Sequence, residues 1–322
     1  MEKEPEGGRE GVKILFWGTP VFAVPSLRAL GEEGHEVVGV VTQPDRPAGR
    51  GRELRASAVK QEALDESYPI LEPESARDES FIEQIAGLGA DLSVVVAYGQ
   101  ILSSEAVTVP PMGSINLHAS LLPSLRGAAP INWSIIRGDA VTGVTVVRMV
   151  EQMDAGPILF QTEEPTGVDE TASDLGMRLS EVGAEALVEA LMLLDAGVIE
   201  ERDQDDSLAT YAPKLNRAAA RIDWDRGSIS VSNFVRGMDA VPGAWSELEG
   251  QPVKLYRPTA RPDVIPEARP GTIVEADRDA GLLVATGEGA VNLKEVQPPG
   301  KKRMEAGAWV LGRGATAGQR FE

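Results

Sequence analysis

The segment INLHAS, Ile115 to Ser120, sets Asn116, His118 and Ser120 at alternate positions ahead of a Leu-Leu-Pro run ending at Pro123. In an extended strand end, alternate side chains point to one side, so an amide, an imidazole and a hydroxyl share a face. The chain has only 2 histidines in 322 residues, which makes the placement of one of them informative. Imidazole is the side chain whose ordinary titration falls nearest neutrality, and an asparagine amide is a neutral donor that can be aimed at an oxygen. These are residue types for proton transfer beside hydrogen-bond donation. On type alone, however, His118 also reads as a hydrogen-bonded core or surface histidine, and Asn116 says less still. Pro123, Gly127 and Pro130 then punctuate a loop, the kind of segment that carries chemistry on a rigid scaffold.

Composition narrows the rest. The absence of cysteine excludes a disulfide framework, a thiolate nucleophile and cysteine-ligated zinc, and two histidines leave little for an imidazole site, so no metal is expected. Hydrophobic content of 42% with 25% charged residues is ordinary for a globular chain, and 322 residues make two domains the default. The opening MEKEPEGGREG is acidic and polar, and no run of 18 apolar residues occurs. A cytoplasmic monomer with no membrane partner is the expectation. The net charge of −19 is unevenly spread: residues 1–211 carry 15 Lys/Arg against 36 Asp/Glu, whereas residues 212–322 carry 16 against 14. An acidic first part repels polyanions, while a balanced second part is either a solvated surface or one whose basic groups are segregated on a face.

Periodicity supplies the elements that must position the Asn116–Ser120 face. Val12–Gly18 is an apolar run closed by Gly-Thr-Pro, after which Leu27 and Leu30 fall on one face of a helix ended by Gly34. His35–Gln43 reads as a second strand, residues 56–67 and 81–89 as helices, and Asp91–Gly99 as a third, Val-rich strand. This rhythm predicts a doubly wound α/β sheet with ligands at the carboxyl ends of its strands. Gly18 lacks the companions of a G-x-G-x-x-G turn, which leaves a nicotinamide cofactor unsupported. Leu175, Leu179, Val182, Ala186, Ala190 and Leu194 predict one long amphipathic helix. The expected division is an acidic extension over 1–11, an α/β domain over 12–200, a charged linker over 201–211 and a second domain over 212–322. Short alternating runs between Gly and Pro in that last part predict a small all-β sandwich or barrel.

The stretch NLHASLLPSLRGAAPI (116–131), with TGVTVVRMVEQMDAGPIL (142–159) after it, resembles the formyltransferase family that uses 10-formyltetrahydrofolate. The similarity extends to LFWGTPVFAVPSL, VVGVVTQPDRPAGRGREL, VVVAYGQIL, YAPKLNRAAARIDW and QPPGKKRM, so it covers nearly the whole chain. It points in particular to the members whose acceptor is methionyl initiator tRNA. The resemblance implies a Rossmann-like formyltransferase core followed by an OB-like barrel. It also implies 10-formyltetrahydrofolate as cosubstrate and transfer to the α-amino group of methionine on initiator tRNA, for translation initiation. Asn116, His118 and Asp154 fall at the family's catalytic positions, and Ser120, Leu121, Leu122 and Pro123 on its folate-binding segment.

That chemistry suits those residue types. Formyl transfer to an amine passes through a tetrahedral species with negative charge on the former carbonyl oxygen. Asn116 can donate to that oxygen, imidazolium at His118 can add a charge-assisted bond, and an ionised Asp154 close by would orient the imidazolium or assist removal of the amine proton. Asp154 is otherwise one of 50 acidic residues. The loop Thr42–Arg55 gathers Arg46, Arg50, Arg52 and Arg55 against Asp45 and Glu53. Alone it is a solvated arginine loop; the resemblance assigns it to the acceptor end of the tRNA, with Arg50 foremost. GKKRM (300–304) is a cationic turn by composition and, by resemblance, a phosphate contact through Lys301, Lys302 and Arg303, with Lys214, Arg217 and Arg221 completing a basic face. Relatives acting on small amines, or hydrolysing formyltetrahydrofolate, are the enzyme alternatives. A non-catalytic RNA-binding module accounts for the charge asymmetry but not for the polar face around His118.

Overall fold

The computed structural model describes residues 11–48 and 53–322. The chain divides into two compact units, one comprising residues up to Arg126 with Gly143–Glu164 and Met177–Thr210, the other Gly127–Thr142, Pro165–Gly176 and Tyr211–Glu322. Of the acidic extension expected over 1–11, all but Gly11 lies outside the described residues.

The first unit is built on a mostly parallel sheet. Strand β1 (Lys13–Gly18) leads into α1 (Val24–Glu32), whose first turn takes Pro25 where no N–H is needed, and then into β2 (Glu36–Val41). An antiparallel ribbon follows, β3 (Arg46–Ala48) and β4 (Glu53–Arg55). Helix α2 (Ala58–Asp65) begins where Ser57 Oγ accepts from the Lys60 amide at 2.9 Å. The alternation continues through β5 (Ile70–Leu71), α3 (Glu79–Ala86), β6 (Leu92–Val96), α4 (Ser104–Thr108) and β7 (Ser114–His118). Beyond α5 (Pro130–Arg137) come β8 (Val141–Arg148), β9 (Ile158–Pro165) and the long α6 (Ala172–Asp195). Among the described residues the sheet order is β5-β2-β1-β6-β7-β8-β9, parallel from β5 to β7, with β8 antiparallel to β7. Ile14 to Trp17 are fully buried, as a strand covered on both faces must be. The doubly wound α/β expectation holds.

Register brings the strand ends together. Trp17 pairs with Val41, Gly18 with Val96 and Val95 with Asn116, so the carboxyl ends of β1, β2, β6 and β7 share one edge. Because β2 and β6 flank β1 on opposite sides, the strand order reverses at Gly18 and Val96, which is where open α/β sheets leave a crevice. Thr19 Oγ1 donates to the Tyr98 carbonyl at 2.8 Å across it. A Cβ on Gly18 would lie 2.8 Å from Phe16 Cε1 and 2.9 Å from Ala23 Cβ, so the glycine is required by packing and not by a dinucleotide.

The second unit contains α7 (Ser228–Gly237), β10 (Trp245–Leu248), β11 (Gln251–Arg261), β12 (Ile273–Asp277), β13 (Gly281–Ala285), β14 (Ala290–Gln297), β15 (Met304–Glu305) and α8 (Ala306–Leu311). Its antiparallel sheet runs β10-β11-β14-β13-β12, with β15 beside β14, and curls around a core that includes Leu255, Val284, Val291 and Leu293. The expected barrel-like β architecture is present, with α7 and α8 added to it. α7 buries Val231, Ser232, Val235 and Arg236, a three-four spacing masked in the sequence by β-branched residues. It packs closely on α5: a Cβ on Gly237 would lie 2.5 Å from Ile136 Cγ1, and Asn132 Nδ2 donates to the Gly237 carbonyl at 2.8 Å. A helix from the middle of the chain therefore belongs to the second unit. Among the described residues, no helix is long and apolar enough to cross a membrane.

Candidate active site

His118 ends β7 with its side chain buried, and two different segments hold its two ring nitrogens. Nε2 lies 3.0 Å from the Leu125 carbonyl, and Nδ1 lies 3.7 Å from Asp154 Oδ1. A carbonyl oxygen only accepts, so Nε2 carries the proton of that bond and Nδ1 is the atom left to gain or lose one. At 3.7 Å the Asp154 contact is an ion-pair separation, longer than a hydrogen bond. Asn116, two residues back on the same face of β7, is half-buried, and its side-chain amide has no hydrogen-bond partner among the described residues. Asn116, His118 and Asp154 are thus brought to one edge of the sheet, Asp154 from the loop between β8 and β9. Tyr98, just past β6, cannot serve as a base there, since burial pushes its phenol up to about 12.

The segment Ser120–Pro123 leaves β7 and is braced on its inner side. Ser120 Oγ donates to the Ser124 carbonyl at 2.6 Å, and the Ser120 carbonyl accepts from Thr145 Oγ1 at 2.6 Å. The Leu122 amide donates to that same hydroxyl at 3.1 Å, while Gln161 Nε2 donates to the Leu122 carbonyl at 2.8 Å and to Thr145 Oγ1 at 3.0 Å. Leu122 packs with Val147 and Ile158. The hydroxyl of Ser120 is therefore spent on holding the turn, and Leu121 and Pro123 are the half-buried side chains of the segment.

Two non-glycine residues at the site sit in the left-handed region, Leu125 at φ 60° and Asp154 at φ 54°. Such conformations cost about 1–3 kcal/mol each and persist only where the surroundings over-determine them. Leu125 is held through its amide, which donates to Thr210 Oγ1 at 2.9 Å, and the next amide, of Arg126, donates to the Thr210 carbonyl at 2.8 Å. The turn after Asp154 closes on Gly156, where a Cβ would collide with the Arg148 carbonyl. Residues 202–210, within the stretch expected as a linker, supply these contacts and pair with β9 through Ile158 and Arg202.

A family model described as formyl transferase matches residues 12–191, and a second, for the formyl transferase C-terminal domain, matches residues 214–314. The chain belongs to the formyl transferase family. A protein named methionyl-tRNA formyltransferase from Symbiobacterium thermophilum is 47% identical over 310 residues, covering 96% of this chain and 95% of that protein. One of the same name from Solibacter usitatus is 44% identical over 311 residues, covering 96% and 98%. Among solved structures, HypX from Aquifex aeolicus in complex with tetrahydrofolic acid matches with a TM-score of 0.65 at 21% identity, over 94% of this chain and 47% of HypX. The chain spans about half the length of HypX and shares its fold.

The cationic positions of this formyl transferase fall in three situations. Arg46 lies on the ribbon after β2 and donates to Gln43 Oε1 at 2.8 Å, while Arg50 and Arg52 lie outside the described residues. Lys301 and Lys302 are exposed in the turn after β14. Arg303 is engaged within its own unit: its guanidinium donates to both oxygens of buried Asp239, at 2.8 and 3.1 Å, and to Glu295, and covers the Tyr256 ring at 4.0 Å from its centroid. Burial alone would lower the Arg303 guanidinium, but hydrogen bonds and charge from Asp239 and Glu295 outweigh it and raise it. Arg217 and Arg221 each sit 5.5 Å from the centre of Trp245. Thr145, Gln161, Gln204 and Thr210 build the site without touching its open side, and residue type does not single them out. Their only signal in the sequence is position, inside or beside the segments that resemble the family.

Proposed function

We propose that this chain transfers the formyl group of 10-formyltetrahydrofolate to the α-amino group of methionine on initiator tRNA, the step that prepares that tRNA for translation initiation. The observation that carries the reading is the near end-to-end match, at 47% identity, to a protein named for that reaction, with both family models in place. The folate supplies the formyl group. Residues 12–200 carry the folate chemistry and residues 212–322 the tRNA contacts, with 201–211 between them. The chain acts as a cytoplasmic monomer.

The residues present fit such a donor. Asn116 offers an unengaged, half-buried amide to the carbonyl oxygen that gains negative charge. His118, fixed by the Leu125 carbonyl through Nε2, exchanges its proton at Nδ1, and Asp154, 3.7 Å from that atom, orients the ring. Catalytic contacts of this kind commonly tighten once substrate is bound, which the 3.7 Å separation allows. Ser120, Leu121, Leu122 and Pro123 form the folate wall, with Leu121 facing the ligand and Ser120 holding the turn. Arg46, Arg50 and Arg52 engage the acceptor end, and Lys301 and Lys302 the phosphate backbone, while Arg303 supports their turn from below.

The test is transfer of labelled formyl from 10-formyltetrahydrofolate to methionyl initiator tRNA, with glycinamide ribonucleotide as competitor. Label is expected on the tRNA. Label only on the small amine, or release of formate without transfer to either, overturns the reading.

A further inference from the structure

We propose that Gln204 and Arg126 are positioning residues for the transfer, a clamp that sets the spacing between His118 and Asp154. The inference rests on the roles given above to that pair. Gln204 Nε2 donates to the carbonyls of Asp154 at 2.8 Å and Gly156 at 2.7 Å, and its Oε1 accepts from Arg126 Nε at 3.1 Å and Nη2 at 2.7 Å. One side chain thus joins the loop that carries Asp154 to the residue that follows Leu125, whose carbonyl holds His118. Both loops contain a residue in the left-handed region; the clamp holds the Asp154 backbone directly and reaches the other loop through the side chain of Arg126, next to Leu125.

The chemistry of the linking group matters. It must donate on one side, to two carbonyls, and accept on the other, from a guanidinium that is only 2% exposed. A carboxylate satisfies the second requirement and fails the first, placing an oxygen against two oxygens. Arg126 is completed by Asp206, from the same 202–210 segment.

Gln204→Glu is the discriminating variant, because it preserves size and the Arg126 contact while removing both donors. Displacements of about 1 Å at a reacting pair cost roughly 100-fold, so kcat should fall by about 10–100-fold. KM for 10-formyltetrahydrofolate and for methionyl-tRNA should stay unchanged, and the midpoint of the kcat–pH profile should move, since the carboxylate facing His118 Nδ1 has shifted. The variant should remain fully folded at the assay temperature, which its thermal unfolding curve checks. If Gln204→Glu does not fold, Arg126→Lys keeps the buried cation but cannot grip Oε1 with two nitrogens, and should give the same kcat loss and profile shift. A folded variant with unchanged kcat and profile overturns the inference, as does a loss that only tracks the fraction of folded enzyme, or a raised KM for tRNA at unchanged kcat. Failure of the wild type to formylate tRNA would instead remove the functional reading.

Discussion

Arg126 in the first unit and Arg303 in the second are each held by several side chains, and the two are used in opposite ways. Arg126 of the first unit is matched by the neutral amide of Gln204, with exposed Asp206 beyond, while Asp154 lies 3.7 Å from the imidazole. Arg303 of the second unit is matched by two carboxylates of its own unit and by an aromatic face. The first arrangement joins the two loops around His118 and Asp154; the second satisfies its own charges, whereas Lys301 and Lys302 of the same turn are exposed. Two neighbouring positively charged residues in a sequence can therefore have different functions, decided by whether a carboxylate lies within reach.

The comparison can be broken most sharply at the first unit. His118→Ala and Asn116→Ala should each lower kcat by about 10²–10³-fold, the usual cost of losing a group that stabilises developing charge, in proteins whose circular dichroism is unchanged. Turnover near that of the wild type in either variant would remove the site from the reaction.

A second contrast lies between two buried tyrosines. Tyr98 has no partner for its hydroxyl among the described residues, and burial raises its phenol to about 12. Tyr256 hydrogen-bonds Gln297 at 3.3 Å and is raised less, burial being offset by Arg303 above it. A folded-state value above the unfolded one near 10 means Tyr98 contributes stability below pH 10 that is lost as pH climbs towards 12. By linkage that loss is about 2–3 kcal/mol. Tyr98→Phe should flatten the fall in urea resistance measured from about pH 9 to 11, the range around an ordinary phenol; an unchanged slope would locate the alkaline weakness elsewhere.

In the second unit the proposed roles of support and contact can be separated. Arg303→Met leaves buried Asp239 without its cation and should destabilise by about 2 kcal/mol, between the values for surface and fully buried pairs. The salt dependence of tRNA binding should hold its slope in that variant. Lys301→Gln with Lys302→Gln should do the reverse, leaving the unfolding temperature alone and lowering the slope of log K against log[salt] by about 0.9 for each phosphate no longer neutralised, a duplex DNA figure used as a guide for RNA. A flattened slope in Arg303→Met, with none in the lysine pair, would reverse the assignment of support and contact.

Much of this was legible in the residues themselves. Near-continuous apolar runs such as Val12–Gly18 and Asp91–Gly99 determined buried parallel strands, because a strand covered on both faces has no polar side to show. The alternation of Asn116 and His118 determined a shared face, since side-chain direction in a strand follows a period of two. The long helix from Leu175 to Leu194 was equally plain from its apolar stripe. Local pattern did not reveal α7, because its buried positions, Val231, Ser232, Val235 and Arg236, mix apolar and polar types. It could not assign α5 to the second unit either, because that depends on how closely Gly237 lets two helices approach.

The assembly of the site was decided only in three dimensions. Asp154 reaches His118 from another loop, Gln204 ties that loop to Arg126, and Thr210 holds Leu125, so the contacts join residues between 36 and 85 positions apart. Hydrogen bonds of such span leave no periodic trace, since neither partner's type or spacing announces the other. The charge of GKKRM was visible in the sequence, but the capture of Arg303 by Asp239, 64 residues earlier, was not. Composition determines how many cations a segment carries; only the fold determines which of them remain free of a carboxylate, because pairing depends on distances that the chain order does not contain.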